Sequence, residues 1–263
     1  MKRHYITYLA FLLTLFSCEK VIDVDVNDAD DQTIVEAVLT DQPFNSFIIL
    51  SKSGKLFEEG DPESIDSAIV EVRDQNGVVT VFNQIAPATY VNPAFVAQQG
   101  YTYDLTIMAE GNQFTSSAST PKRVEFDTTY IDYDYENPFG DIVPRVYVEF
   151  TDHPEPNTYY RVIAYKNGEK QDGTSIYDDD VNNGEVRDDY IYQFDFEQGD
   201  TLFVDLLSVN PAYYEYFRVL ATISGNPLSS APGNPPTNID SDAKVQGYFG
   251  VFTVDRDTLY VTQ

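Results

Sequence analysis

Apolar and polar side chains alternate along segment after segment of this chain, from Thr33 almost to the C-terminus. A period of two is the repeat of a strand with one face buried, and it leaves little room for any fold that is not built from sheets. Thr33–Thr40, Asn45–Ser51 and Ser67–Arg73 come first. Asp74-Gln-Asn-Gly77 then supplies a hairpin turn, because Asn-Gly tolerates positive φ, and Val78–Asn83 returns. Tyr101–Met108 is a long alternating strand that Glu110-Gly-Asn112 turns into Gln113–Ser119. Glu125–Tyr133, Arg145–Phe150 and Tyr159–Tyr165 continue the series, and Asn167-Gly168 turns the last of them. Tyr190–Phe196 with Thr201–Leu207 reads as a further antiparallel pair. So does Gln246–Val254 with Thr258–Thr262, turning at Asp255-Arg-Asp257. With 20 Tyr and 17 Phe the chain is also rich in strand formers. The expected fold class is mostly β: two β-sandwich-like domains, 29–120 and 121–263, hinged at Pro121-Lys-Arg123.

One short helix is expected, in the C-terminal domain. Asn210 suits an N-cap, Pro211 the first helical position and Gly225 the stop. Tyr213, Phe217 and Leu220, joined by Tyr216 and Ile223, form an aromatic-rich stripe at helical spacing, which reads as core packing. Two stretches read as loops. Asp172–Asp189 is polar and acidic, and Asn226–Asp242 is long, nearly uncharged and proline-rich.

The N-terminus indicates a location. Lys2 and Arg3 precede an uncharged, mostly apolar run from Tyr5 to Phe16, which is too short for the roughly 20 residues that span a bilayer. Residues 1–17 are therefore expected to be a signal peptide. Leu15-Phe-Ser-Cys18 resembles the lipobox of bacterial lipoproteins, in which the cysteine becomes the acylated first residue. Cys18 is the only cysteine, so no disulfide can form within the chain, and it is expected to carry palmitate or a similar acyl group. Residues 18–28 would be the tether. With 43 acidic against 16 basic residues and a net charge of −27, the surface repels nucleic acid and anionic headgroups.

Catalytic chemistry finds little to work with. His153 is the one histidine beyond the signal, in a Pro-rich turn, so neither a Ser-His-Asp triad nor a zinc site is expected. Paired carboxylates remain open as a hydrolytic device, but 43 acids make some pair inevitable. The acidic loop Asp178–Asp189 has hard oxygen ligands for calcium: Asp178, Asp180, Asn182 and Asp189 fall at the first, third, fifth and twelfth positions of an EF-hand register. That register is imperfect, because Gly184 comes one residue late and flanking helices are lacking. A solvated acidic loop is the alternative. Binding surfaces are expected at the prolines Pro232, Pro235 and Pro236, and at Tyr133 and Tyr135 of an exposed tyrosine run.

Several segments taken together resemble one family. Cys18-Glu-Lys-Val-Ile-Asp23, Ile34–Asp41, Tyr101–Leu105, and Asn226-Pro-Leu228 with Gly247-Tyr-Phe-Gly250 are similar to Bacteroidota lipoproteins grouped as domain of unknown function family 4249. That family has no agreed catalytic residues. Its members are typically encoded beside TonB-dependent transporters, so the resemblance implies an outer-membrane, lipid-anchored, outward-facing protein that assists such a transporter in nutrient uptake. An enzyme is not expected. The alternatives are a surface glycoside hydrolase using paired carboxylates and a structural or adhesive envelope protein.

Overall fold

A computed structural model describes residues 32–53, 62–171, 175–178, 183–191, 194–225 and 234–262, with only the backbone at 223–225. Cys18, the expected tether 18–28, Asp180, Asn182 and Pro232 lie outside these residues. The first strands are β1 (Thr33–Thr40), β2 (Phe47–Lys52), β3 (Ile69–Asp74), β4 (Val79–Ala86), β5 (Thr89–Val91), β6 (Thr102–Ala109) and β7 (Asn112–Ser119). After them come β8 (Phe126–Asp132), β9 (Arg145–Thr151), β10 (Tyr159–Lys166), β11 (Glu169–Lys170), β12 (Ser175–Tyr177), β13 (Val186–Tyr190) and β14 (Thr201–Val209). Helix α1 (Pro211–Gly225) and strand β15 (Val245–Tyr260) complete the order. The chain is mostly β, with one helix near the C-terminus among the described residues, and its two sheets pack as sandwiches. No described helix is long and apolar enough to cross a membrane.

The hydrogen-bonded path runs β11-β10-β14-β15-β1-β2-β5-β4-β3-β6-β7, with β12 also on β10, and a second sheet is ordered β13-β9-β8. Three apolar clusters follow from it. The first lies among β1 to β7 and includes Val35, Leu39, Tyr90, Leu105 and Phe114. The second fills the space between β8-β9-β13 and one face of β10 and β14, around Phe150, Tyr160 and Leu202. The third lies on the opposite face of β10, β14 and β15, where α1 lays Tyr213 and Phe217 onto Tyr248 and Phe252. Residues Asp31–Gln263 form a single compact unit, and the larger sheet takes strands from both sides of the hinge expected at Pro121.

β15 is common to all three clusters. Phe249 and Val251 enter the first, Tyr248, Phe252 and Val254 the third, and Leu259 packs on the second. Its Gly247–Val254 stretch is buried on both faces, as suits a strand paired in parallel with β1, Thr33 opposite Val245 through Thr40 opposite Phe252. Gly247 is required there: its φ is 109°, and a Cβ would sit 2.0 Å from the Val35 carbonyl oxygen.

Three expectations need correction. Asp255-Arg-Asp257 is no turn, and β15 continues through it, pairing Arg256 with Asp205 of β14. The charges are tolerated because each meets a partner: Asp255 meets Arg123, Arg256 meets Asp205, and Asp257 accepts from the Thr129 hydroxyl. Among the described residues of Tyr190–Phe196 none pairs with β14; Tyr190 ends β13, which pairs with β9, and β14 takes β10 and β15 instead. The stretch Asp172–Asp189 is not all loop, for it holds β12 and most of β13.

Candidate functional site

The face of β10, β14 and β15 that α1 covers is covered only in part. Beyond the helix a cavity of ≈ 550 Å³ opens, also bordered by β1 and β2. Alternation puts the same-face residues Arg161 and Tyr165 of β10, Asp205 of β14, and Phe252 and Arg256 of β15 on its floor. The guanidinium of Arg161 is nearly fully buried, donates through Nη1 to the Tyr213 hydroxyl and lies 4.0 Å from the Phe217 ring centroid. Across the register, Arg256 forks onto Asp205, Nε to Oδ1 at 2.5 Å and Nη2 to Oδ2 at 2.6 Å. That hydrogen bond, against the cost of burial, holds the Arg256 guanidinium above its ordinary pKa. Burial pushes the Tyr213 and Tyr248 hydroxyls up as well, so both stay protonated.

The lining carries Arg161, Lys170 and Arg256 against Glu36 and Asp205, an excess of one positive charge in a chain of net −27. Its walls are aromatic. Such a site suits a flat apolar body bearing a negative group. It lacks any histidine or cysteine, and both oxygens of Asp205 are taken by Arg256. Among the described residues no group of three or more His, Cys, Asp or Glu side chains is placed to hold a metal ion.

A second cleft, of ≈ 520 Å³, lies where the residues after β7, the start of β10, the end of β14 and the N-terminus of α1 meet. Lys122 and Glu155 pair across its rim at 2.6 Å, and His153 Nδ1 accepts from the Glu155 amide. Burial, joined by a hydrogen bond with Asp152, pushes the Tyr160 hydroxyl up to about 12.

The residues singled out in the sequence are scattered. Asp178 accepts from the Tyr214 hydroxyl at 2.8 Å, and Asp189, a strand residue of β13, accepts from Tyr177 at 2.9 Å. Tyr133 is half-buried against the second cluster and accepts from the Thr262 amide; Tyr135 is half-buried with Arg145 3.6 Å over its ring. Pro235 and Pro236 precede a segment stitched to the sheets: Asn238 brackets Phe249 with two hydrogen bonds, and Asp240 exchanges two with Thr115. Asn210 caps α1 through its carbonyl, which accepts from the Tyr214 amide, whereas its side-chain oxygen has no partner. The site residues that sequence reasoning missed are Arg161 and Asp205. Their signal was available: a lone charge in the apolar run Tyr159–Tyr165, and another in Leu202–Leu207.

The profile of one family, Domain of unknown function (DUF4249), matches residues 19–258. This chain belongs to that family. A search of curated proteins finds no match for this DUF4249 member. Among solved structures it is similar to a cytokine receptor complex at 11% identity, covering 87% of this chain and 97% of that one with a TM-score of 0.27. It is also similar to a two-domain fibronectin type-III segment of chicken tenascin, at 15% identity, 69% and 92% coverage and a TM-score of 0.21. Scores this low support no argument about function.

Proposed function

We propose that this DUF4249 protein is an outward-facing outer-membrane lipoprotein, anchored through Cys18, that captures a ligand for a TonB-dependent transporter. The observation that carries the reading is the aromatic cavity beside α1. It is open, of ligand size, positively charged within an acidic protein, and lined mostly by side chains of strands and of α1. Binding is favoured over hydrolysis because Asp205, the most buried acid of the cavity, spends both oxygens on Arg256.

The test uses the full chain in its native membrane. Cys18→Ala is expected to lose acyl label and to weaken co-purification with the transporter. Tyr165→Ala, which removes an aromatic ring from the cavity floor without touching the anchor, is expected to keep co-purification and to slow growth on the limiting nutrient. Wild-type labelling and pull-down yield in Cys18→Ala rejects the anchored-partner reading, and wild-type growth of Tyr165→Ala rejects the cavity as the capture site.

A further inference from the structure

The most exposed large apolar side chain among the described residues is Phe139, at 91%. It stands at the tip of a hairpin between β8 and β9. Asn137 builds that tip. Its Oδ1 accepts from the Phe139 and Asp141 amides at 2.9 and 3.0 Å, its amide donates to the Asp141 carbonyl at 2.8 Å, and its carbonyl accepts from the Gly140 amide at 2.9 Å. Gly140, at φ 89°, supplies the left-handed residue the turn needs. Below the tip Glu136 bridges Ile142, and the Val143 amide donates to the Tyr135 carbonyl. Ile142 and Val143 are exposed as well. A phenylalanine fixed in water by this many bonds has lost in advance much of the freedom that docking would remove.

The hairpin leads into a continuous band of rings. The Arg145 guanidinium lies 3.6 Å from the Tyr135 ring centroid and 4.1 Å from that of Tyr190. Tyr190 meets Tyr147 at 5.8 Å, and Tyr147 stacks on Tyr130 at 5.2 Å with the planes 6° apart. Register explains the band: Tyr130, Tyr147 and Tyr190 stand opposite one another across β8, β9 and β13, on the face turned away from the second apolar cluster. The next tier of that face sets Glu149 opposite Asp188. Like charges directly opposed across strands repel, and among the described residues no lysine or arginine pairs with either carboxylate.

We propose that this face docks a protein whose surface offers an apolar pocket to Phe139 and lysine or arginine side chains to Glu149 and Asp188. Aromatic residues and arginine are the types enriched in the cores of protein interfaces. Charge decides the occupant. A second copy would bring another net −27 and set carboxylates against carboxylates, and anionic lipid headgroups would be repelled in the same way. A basic rim instead relieves the repulsion that Glu149 and Asp188 bear in the free protein. The face shares no residue with the lining of the aromatic cavity, so it stands whether or not that cavity captures a ligand.

The test is photo-cross-linking of the full chain in its native host, with p-benzoylphenylalanine placed at Ile142 in one chain and at Tyr130 in another. Both reporters are expected to mark one and the same partner protein, on segments in which lysine and arginine outnumber aspartate and glutamate. Adding Phe139→Ser is expected to lower both yields at least about fivefold, and adding Glu149→Gln with Asp188→Asn to lower them about threefold. The melting temperature of the purified Glu149→Gln, Asp188→Asn chain is expected not to fall, because the substitutions remove a repulsion. A fall of several degrees would show that the two carboxylates serve the fold and would overturn their assignment to a partner. The proposal is also overturned if the products are only lipid or a second copy of this chain, if no product forms, if the marked segments are acidic, or if either set of substitutions leaves the yields unchanged.

Discussion

Arg123 is expected to hold the segment between β7 and β8 to the rest of the protein, and replacing it with Met tests this. Its Nη1 lies 3.0 Å from Asp41 Oδ2 and its Nη2 2.9 Å from Asp255 Oδ1. Asp41 follows β1 and uses its other oxygen to accept from the Val254 amide, while Asp255 accepts from the Phe126 amide. One guanidinium thus joins β1, the segment before β8 and β15. Burial pushes its pKa down, the hydrogen bond to Asp255 and the charge of Asp41 push it up by more, and the net direction is upward. The side chains are 31%, 16% and 21% exposed, so screening by water is partial. Two charge-assisted bonds at about 1.5–3 kcal/mol each set the upper bound. The two carboxylates keep their backbone donors when Arg123 is gone, which lowers the cost to about 2–4 kcal/mol. For a domain of this size that corresponds to a loss of roughly 5–12 °C in melting temperature. Equilibrium urea unfolding of wild type, Arg123→Met and Arg123→Lys measures it. Lysine keeps the charge and loses the fork, and is expected to recover about half. A cost below about 1 kcal/mol for Arg123→Met, the level of an exposed ion pair, would refute the reasoning.

Alkaline pH is expected to unfold the protein from about pH 10 upward. Unfolded tyrosine ionises near 10, whereas burial holds Tyr160 protonated to about 12 and pushes Tyr177, Tyr213 and Tyr248 the same way. Their stabilisation is full below pH 10 and is lost as pH rises through the folded values; tyrosinate absorbance following the circular-dichroism transition checks it. Gly247→Ala, with its Cβ 2.0 Å from a backbone oxygen, is expected to cost at least about 4 kcal/mol, and soluble yield together with urea midpoint measures this. Asn238→Ala removes two bonds to Phe249 and is expected to cost about 1–3 kcal/mol, read from the same urea titration.

Strands whose alternation matches one buried face were legible in the sequence, β6 most plainly: Tyr103, Leu105, Ile107 and Ala109 are buried, and Asp104 and Met108 exposed. The helix was legible from Asn210, Pro211 and Gly225. The reading failed where tertiary partners override a local signal. Asp255-Arg-Asp257 has the composition of a turn, and only Arg123, Asp205 and Thr129, all distant in sequence, allow it to remain strand. Tyr190–Phe196 has the composition of a strand, but among its described residues only Tyr190 joins a ladder. For the sites, a charge inside an apolar strand was a signal for Arg161 and Asp205 that the sequence reading passed over.

The parallel pairing of β1 with β15 bears on the order in which the protein assembles. The bond from the Val254 amide to Asp41 closes a separation of 213 residues, and the entropy of that closure is spent before the contact returns anything. Hairpins such as β3-β4 and β6-β7 need no such closure and can form while the chain is still emerging. β1 has no second neighbour until residues beyond Val245 arrive, and the first apolar cluster lacks Phe249 and Val251 until then. A chain halted before Val245 would therefore present a bare strand edge and an unfilled core. Both would persist through most of synthesis, so a holding chaperone would be needed longest by the part of the chain made first.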